Sequence, residues 1–423
     1  MKYIRYILPN NLKVIICPMQ HVKSVSIGIW VGVGGRYEND EENGIAHFLE
    51  HMLFKGTHTQ TAMQITQSIE GVGGNMNAFT SEEYTCYYAK VPCQHTEKAL
   101  SVLCDMYQDP LLKNEHIKKE KEVILEELKM HVDMPSQHVY DLLSQTIWPS
   151  QPLGRILVGT EKTINGITRR DLTRFHNQYY NASNTVVSIS GAVEPGKIMT
   201  LIRRKFSKIN KGKKYTFDAV REDQQKPRLS IKTHQTQQCH ICVGLRALPR
   251  SHPERFAFRL MNVILGENMS SRLFQEVRER RGLSYDISSS IERFKDTGTL
   301  MISGGTDAPR LPRTLKCIFD VLYKMKKKGV TADELKRAKE YLSGQLSLSM
   351  ERTTNQMIYA GECEIVEDKI MKLEDILKAI RKVNTENVKR ICEVIFQDNR
   401  LNMALIGPVE DKGLILKTLH IGG

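Results

Sequence analysis

Apolar and polar residues alternate along two stretches near the start of the chain, residues 12–18 and 24–33. Alternation places successive side chains on opposite faces of a strand, so both stretches are predicted to be neighbouring strands with one buried face. The buried face of the second strand would carry Val25, Ile27, Ile29, Val31 and Val33. From about Gly44 the apolar spacing becomes helical, and this helix would pack its apolar stripe against the sheet. The stripe consists of Ile45, Phe48, Leu49, Met52 and Leu53.

The pattern continues with a second helix at residues 60–70 and a glycine-rich break at residues 71–74. Residues 78–92 are rich in β-branched and aromatic residues, which predicts a strand pair or one long bent strand. Two further helical stretches follow, at residues 97–109 and 114–132. The first half of the chain therefore combines a sheet with several helices.

The second half of the chain repeats this order of elements loosely. An alternating strand, two helices and a pair of strands are predicted there, followed by long helices. These segments are residues 230–245, 253–265, 271–281 and 284–304. The repeat predicts an α+β fold of two homologous domains, each a mostly antiparallel sheet packed against helices. We place the first domain at residues 1–212, a linker at 213–228 and the second domain at 229–423.

The length and composition agree with two domains, because 423 residues, 40% of them hydrophobic, are too many for one ordinary core. The formal net charge is +13, but 61 basic residues are interleaved with 48 acidic ones and no nucleic-acid-binding motif is present. No stretch of about 20 apolar residues could span a membrane, and the N-terminus lacks a secretory pattern. Nine cysteines, an odd number, are typical of reduced thiols. We therefore expect a cytoplasmic protein that binds neither nucleic acid nor membrane.

The segment His47-Phe48-Leu49-Glu50-His51 carries the candidate chemistry. Residues i and i+4 of a helix share one face, so His47 and His51 can present two imidazoles to one metal ion. This HxxEH order reverses the commoner HExxH zinc motif, and Glu50 would be close enough to act as general base. A less specific interpretation is that both histidines are partly buried polar residues of an amphipathic helix. A catalytic zinc needs three protein ligands, so one ligand has to come from elsewhere.

The Glu-rich helix at residues 114–132 offers two candidates for this third ligand. Glu120 and Glu127 are seven residues apart and therefore lie on one face, two turns from each other. By geometry alone either could bind the metal, and the other could hydrogen-bond a ligand histidine and fix its orientation. A solvated surface helix would account for the glutamates as well.

The repeat in the second half has lost these residues. Shifted by 211 positions, His47, Glu50 and His51 fall on Phe258, Met261 and Asn262. Shifted by 219 positions, Glu120 and Glu127 fall on Lys339 and Leu346. A duplicated domain of which one copy kept the chemistry explains both observations.

Three features together resemble the pitrilysin/insulinase family of zinc peptidases: the segment Gly44–Thr57 (GIAHFLEHMLFKGT), the pair Glu120 and Glu127, and the segment Gly74–Thr80 (GNMNAFT). The resemblance covers nearly the whole chain and is strongest to the mitochondrial processing peptidase β-subunit and its short bacterial homologues. It implies one Zn²⁺ per chain, with Glu50 as general base and Glu120 supporting a ligand histidine. The implied zinc ligands are His47, His51 and Glu127.

The resemblance also implies how substrate is held. The family's edge strand, which pairs with an extended peptide by β-augmentation, is matched by Asn77, Ala78, Phe79 and Thr80. In the second half, Arg278 and Tyr285 match an Arg-x6-Tyr element whose side chains reach the active site of the zinc domain. There Tyr285 would stabilise the oxyanion and Arg278 would hold the substrate backbone. Without the family, Arg278 would be interpreted as a surface charge and Tyr285 as a core aromatic.

These expectations combine into a zinc-dependent endopeptidase or oligopeptidase that cleaves extended peptides or unfolded segments. The resemblance implies that it works inside a closed chamber, as a homodimer or with a related partner chain. Two alternatives stay open. One is a non-catalytic binding or core subunit of a processing-peptidase-like complex, which would typically have lost a ligand or the base. The other is a dedicated maturation protease for one small precursor peptide.

Overall fold

The structure is a computed structural model that describes residues 2–409 and 412–422. The chain forms two compact units, each built from segments of both halves of the sequence. Unit 1 contains Met1–Leu128, Ile156–Asp218 and Ser347–Leu373. Unit 2 contains Lys129–Arg155, Ala219–Leu346 and Glu374–Gly423.

Both units combine β-strands with α-helices. The strands are β1 (Ile4–Ile7), β2 (Lys13–Pro18), β3 (Ser24–Val31), β4 (Asn75–Thr80), β5 (Thr85–Pro92), β6 (Thr185–Gly191), β7 (Arg228–Thr233), β8 (Cys239–Ala247), β9 (Ile287–Arg293), β10 (Gly298–Thr306) and β11 (Leu401–Gly407). The α-helices are α1 (Ile45–Leu53), α2 (Ala62–Glu70), α3 (Thr96–Gln108), α4 (Asn114–Asp133), α5 (Pro135–Ile147), α6 (Glu161–Gly166), α7 (Arg169–Tyr179), α8 (Pro195–Phe206), α9 (Arg255–Asn262), α10 (Leu311–Lys328), α11 (Ala332–Ser349), α12 (Thr353–Glu367), α13 (Leu373–Lys382), α14 (Thr385–Ile395) and α15 (Lys412–Thr418). Two π-helical segments, Val263–Glu267 and Phe274–Glu279, follow α9.

Unit 1 is built on a six-stranded sheet with the strand order β1-β2-β6-β3-β5-β4. Neighbouring strands are antiparallel except for the parallel pair β2 and β6. The strands β2 and β3 match the two stretches predicted from alternation, and the predicted inward face of β3 is fully buried in the core. Residues of α1 and α3 belong to the same core. The sheet therefore supports the helix that carries the HxxEH segment.

The opposite face of β3 is also buried, which the alternation did not predict. This face is buried because α12 lies across it. Trp30 has no exposed surface, shares a core cluster with Met357 and Ala360, and donates a hydrogen bond to Ser188 Oγ at 2.8 Å. Gly361 permits the close approach of the helix, since a Cβ atom there would lie 2.0 Å from Trp30 Nε1.

Unit 2 repeats the arrangement with a five-stranded sheet, in the order β7-β11-β8-β10-β9. Without β1, the strands of both sheets follow the same order. In each sheet the strands that come first and last along the chain form the parallel pair, β2 with β6 and β7 with β11. The helix α5 packs on this sheet, and its residues Val139, Leu143 and Ile147 share a core cluster with Cys242 and Ala404. The predicted fold class, α+β with two mostly antiparallel sheets packed against helices, is confirmed.

Two details differ from the predicted boundaries. The stretch 230–245, predicted as one strand, forms the two strands β7 and β8. The predicted domains, 1–212 and 229–423, are contiguous, whereas unit 1 includes α12 and unit 2 includes α5. Helical spacing in a sequence does not show which sheet a helix covers, so it could not assign α5 or α12 to its sheet. Among the described residues, no helix is long and apolar enough to cross a bilayer.

Candidate metal centre and active site

The helix α1 turns its apolar stripe to the core of unit 1. The predicted stripe is fully buried and consists of Ile45, Phe48, Leu49, Met52 and Leu53. Because this stripe faces the core, the half-buried side chains of His47, Glu50 and His51 lie on the accessible side of the helix. The ring centroids of the two histidines are 4.6 Å apart. Both imidazoles therefore lie on one face, as their spacing predicts.

The helix α4 brings a carboxylate to these imidazoles. Glu127 Oε2 lies 3.8 Å from His47 Nε2 and 3.7 Å from His51 Nε2, and the ligand atoms of the three residues lie within 4.8 Å of one another. Tetrahedral zinc with bonds of about 2.0–2.2 Å holds its ligand atoms about 3.3–3.6 Å apart, so small side-chain rotations would close the set on an ion. In the described part of the chain, no second cluster of His, Cys, Asp or Glu meets the same distance limit.

Glu120 lies behind one of the histidines. Its Oε2 is 3.2 Å from His51 Nδ1, and its Oε1 is 2.7 Å from Lys55 Nζ. A carboxylate at Nδ1 favours the tautomer that carries its proton there, which leaves the Nε2 lone pair free for a metal. Burial opposes ionisation of Glu120, but the hydrogen bonds with His51 and Lys55 outweigh it and hold the pKa of the carboxyl below its usual value. Glu127 thus lies at the Nε2 atoms of both histidines and Glu120 at Nδ1 of His51, although spacing alone could not distinguish the two glutamates.

Glu50 lies on the same helix as both histidines but outside the group of three. The hydroxyl of Thr80, the last residue of β4, donates a hydrogen bond to Glu50 Oε2. Burial raises the pKa of the Glu50 carboxyl, although the hydrogen bond from Thr80 and the nearby His51 oppose this shift. A carboxylate held beside a metal site without ligating it is arranged for proton transfer.

The strand β4 forms one edge of the sheet and packs beside α1. In the part of the chain that the structure describes, no strand pairs with its outer side. Thr80 reaches Glu50 on the α1 side, whereas the ring of Phe79 packs edge-on against Trp30 on the other face, at a centroid distance of 5.7 Å. Asn77 is exposed, and its Oδ1 accepts a hydrogen bond from the N–H of Ala78 at 2.9 Å. Within the described residues, the outer edge of β4 is therefore left without a partner strand.

In unit 2, Arg278 and Tyr285 are stacked. The guanidinium carbon of Arg278 lies 4.7 Å from the ring centroid of Tyr285 and 4.7 Å from that of Phe274. Gly282, with a φ of 58°, permits the turn between the π-helical segment and Tyr285. Tyr285 is 79% exposed, so its interpretation as a core aromatic is wrong. Its action at the zinc site, implied by the resemblance, stays a prediction.

Three side chains that contact α1 or its candidate site residues were not predicted in these roles: Glu38, which accepts hydrogen bonds from the N–H groups of Gly44 and Ala46, Lys55 and Thr80. Glu38 and Lys55 lie in the loops on either side of α1, and loops have no periodicity that shows where a side chain points. Thr80 was predicted only as part of a substrate-binding strand. Its hydrogen bond to Glu50 depends on how β4 packs against α1, which local spacing does not contain.

Comparison with known proteins gives the family. A family model described as Insulinase (Peptidase family M16) matches residues 13–161, and one described as Peptidase M16 inactive domain matches residues 166–342. Over 404 residues the chain is 37% identical to the uncharacterized zinc protease YmxG of Bacillus subtilis, covering 96% of this chain and 98% of that protein. The chain belongs to the M16 insulinase family. The family resemblance in the sequence is therefore confirmed.

Other proteins match the chain over nearly its full length. It is 35% identical over 414 residues to an uncharacterized zinc protease of Streptomyces coelicolor, covering 96% of this chain and 90% of that protein. A crystal structure of a peptidase M16 inactive domain from Pseudomonas fluorescens has a TM-score of 0.90 at 21% identity, covering 97% of this chain and 98% of that one. A protease from Helicobacter pylori has a TM-score of 0.89 at 22% identity, covering 96% and 99%. These structures show that the M16 fold is shared.

The two M16 segments agree with the distribution of the candidate ligands. His47, His51 and Glu127 all lie within the segment that matches the Insulinase description, ahead of the segment described as inactive. At the position that corresponds to His51 in the second half, Asn262 is fully buried and donates a hydrogen bond to Glu267 at 2.9 Å. The second copy of the helix therefore has buried packing residues where the first has candidate metal ligands.

Proposed function

We propose that the chain is a zinc metalloendopeptidase that hydrolyses peptide bonds in extended peptides or unfolded protein segments. The observation that carries the proposal is the convergence of His47 Nε2, His51 Nε2 and Glu127 Oε2 beside Glu50. Membership of the M16 family and relatives that are named zinc proteases support it.

The donor set fits one Zn²⁺ per chain. His47, His51 and Glu127 would hold the ion and leave the fourth position to water or substrate. When bound, zinc supplies Lewis acidity, which polarises the scissile carbonyl and lowers the pKa of water at the site to about 7. Glu120 would hold the His51 ring in the orientation that ligation needs, through its contact with Nδ1.

Glu50 would act as the general base. Its carboxylate takes one proton from the water that attacks the carbonyl carbon, and returns that proton to the nitrogen of the leaving amine as the C–N bond breaks. Burial moves the pKa of Glu50 upward, towards that of the groups with which it exchanges the proton. Thr80 would limit rotation of the carboxylate through its hydrogen bond.

The free edge of β4 would hold the substrate as an additional strand. Backbone pairing binds a peptide without selecting its side chains, and only an extended or unfolded segment can pair in this way. The N–H of Ala78, which the Asn77 side chain covers in the free protein, would donate to a substrate carbonyl once Asn77 turns away. The released carboxamide would then be free to hydrogen-bond the substrate backbone.

Arg278 and Tyr285 would complete the site, as the family element implies. The hydroxyl of Tyr285 would donate to the developing oxyanion, and Arg278 would hold the substrate backbone. Stacking of the guanidinium on two aromatic rings supports a fixed position for Arg278, and the exposed Tyr285 ring is accessible to a substrate.

We include in the proposal that the enzyme acts as a homodimer or with a related partner chain around a closed chamber. This part rests on the family resemblance. Analytical ultracentrifugation at the assay concentration tests it, and a strictly monomeric chain with full activity would contradict it.

The test of the function compares zinc content and cleavage of a quenched peptide library for four proteins: wild type, Glu50→Gln, Glu127→Gln and Glu122→Gln. Glu122 is exposed on α4, so its substitution controls for the loss of one charge from that helix. Wild type and control should bind zinc and cleave. Glu50→Gln should keep zinc and lose cleavage, whereas Glu127→Gln should lose both.

The outcomes separate the competing functions. An active Glu50→Gln variant would refute its role as general base. A wild type that binds no zinc, or binds zinc but cleaves nothing with or without a partner chain, would favour the non-catalytic binding subunit. Cleavage of one small precursor peptide and of no library member would favour the dedicated maturation protease.

A further inference from the structure

A buried carboxylate binds the N-terminus of the metal-binding helix. Glu38 is 4% exposed. Its Oε2 accepts hydrogen bonds from the N–H of Gly44 at 2.8 Å and from Asn43 Nδ2 at 3.1 Å, and its Oε1 accepts one from the N–H of Ala46 at 2.9 Å. His47, the first candidate ligand, follows Ala46 directly. The backbone that carries His47 is thus held by Glu38.

The helix has no cap of its own at this position. Its N-cap residue is Gly44, with a φ of 95°, which lacks the side-chain oxygen that Ser, Thr, Asp or Asn would supply. A Cβ atom at Gly44 would lie 2.5 Å from the carbonyl oxygen of Val158, so a residue with a side chain does not fit. Asn43 is held on its other side by the carbonyl of Ile156, at 3.0 Å. Glu38 therefore takes over the N-cap function from a preceding loop.

The charge of Glu38 has a second effect. The N-terminus of a helix carries about +0.5 elementary charge, concentrated in its first turn. His47 lies in the first turn of α1, so a divalent cation bound there would be repelled by this partial charge. The carboxylate of Glu38 lies at the same end of the helix and offsets the repulsion.

We infer that Glu38 is a positioning residue for the metal centre. It fixes the first turn of α1, and with it His47, and it compensates the charge of the helix end so that a divalent cation can bind. Glu38 touches neither the ion nor the substrate in this role. The inference rests on the proposed metal-binding function of His47, His51 and Glu127.

The test measures zinc affinity, by competition with a chelator, for wild type, Glu38→Gln and Glu41→Gln. Glu38→Gln keeps the side-chain size but removes the charge and turns one acceptor into a donor that faces a backbone N–H. Glu41 is exposed in the same loop, so its substitution controls for net charge. Zinc affinity should fall about 10–100-fold in Glu38→Gln and stay within about twofold of wild type in Glu41→Gln.

Hydrogen exchange tests the cap independently of zinc. In metal-free protein, a peptide that covers the amides of Gly44 and Ala46 should exchange faster in Glu38→Gln than in wild type or Glu41→Gln. Unchanged exchange would overturn the cap, and faster exchange with unchanged zinc affinity would overturn the role at the metal centre. If wild type itself bound no zinc, the proposed function would fail, while the exchange result would still decide whether Glu38 caps α1.

Discussion

Replacing one glycine of α12 by alanine should destabilise unit 1, although the same replacement in α11 should stabilise unit 2. At Gly361 the new Cβ atom would lie 2.0 Å from Trp30 Nε1 and 2.2 Å from Trp30 Cε2. The indole is fully buried and hydrogen-bonded to Ser188, so it cannot move aside without disturbing its own packing. At Gly344 no heavy atom of the described residues outside the helix lies within 4 Å of the new Cβ.

The magnitudes follow from these contacts. Alanine is favoured over glycine in a helix interior by about 0.5–1 kcal/mol, so Gly344→Ala should raise the free energy of unfolding by that amount. Overpacking costs about 1–3 kcal/mol, and a contact this close belongs at the upper end of that range. Because the helix preference of alanine offsets part of this cost, Gly361→Ala should be about 2 kcal/mol less stable than wild type. For units of about 200 residues, 1 kcal/mol shifts Tm by about 2–4 °C. Gly361→Ala should therefore lower the Tm of unit 1 by about 4–8 °C.

The two tryptophans of the chain allow the units to be followed separately, because Trp30 lies in unit 1 and Trp148 in unit 2. Fluorescence of Trp30 during thermal unfolding, in a Trp148→Phe background, measures the effect of Gly361→Ala. Scanning calorimetry measures the opposite effect of Gly344→Ala. If Gly361→Ala were as stable as its parent, the close packing of α12 on Trp30 would be wrong, and with it the burial of the second face of β3.

Three further predictions concern the site and unit 2. Glu120→Gln should weaken zinc binding about 10–100-fold in chelator competition, because its ligand histidine loses a charged partner; unchanged affinity would contradict this. Thr80→Val should lower kcat roughly tenfold, a part of what a general base contributes, and Thr80→Ser should restore it; a parallel loss of zinc would instead indicate a damaged metal site. In unit 2, Arg272 Nε forms an ion pair with Glu334 Oε1 at 2.8 Å. Burial opposes ionisation of Glu334, but the contacts with Arg272 and Thr331 outweigh it and lower the pKa of Glu334 to about 2. This folded-state pKa lies below the unfolded value of about 4.3. The contribution of the ion pair to the free energy of unfolding is therefore complete above about pH 5 and is lost as the pH falls towards 2. The stability lost in Glu334→Gln, measured by urea unfolding, should therefore shrink over that range, and a difference that does not change with pH would refute the ion pair.

Local spacing predicted the elements whose pattern of buried positions depends on segments near them in sequence. The strands β2 and β3 and the helices α1, α3 and α4 lie where alternation or helical spacing placed them. The two-sided burial of β3 could not be predicted in this way. Ser26 on the second face hydrogen-bonds Thr353, which is 327 residues away in sequence. Only the folded chain shows that α12 covers Ser26 and Trp30.

The candidate site shows the same limit. His47 and His51 could be paired from the sequence because one helix carries both. The choice between Glu120 and Glu127 depends on where α4 crosses α1, so spacing left it open and the family resemblance supplied an answer. The structure brings Glu127 to both Nε2 atoms. The contact of Thr80 with Glu50 comes from packing between a strand and a helix, and has no local signature.

The position of α12 in the sequence sets when unit 1 can be completed during synthesis. The last strand of unit 1, β6, ends at Gly191, but α12 ends at Glu367. At about 5–20 residues per second, the ribosome needs about 10–35 s to make the intervening chain. During this time the face of β3 that carries Trp30 has no cover and can associate with other apolar surfaces. A chaperone at the ribosome would therefore bind unit 1 while one face of its sheet is still exposed, before α12 has been synthesised.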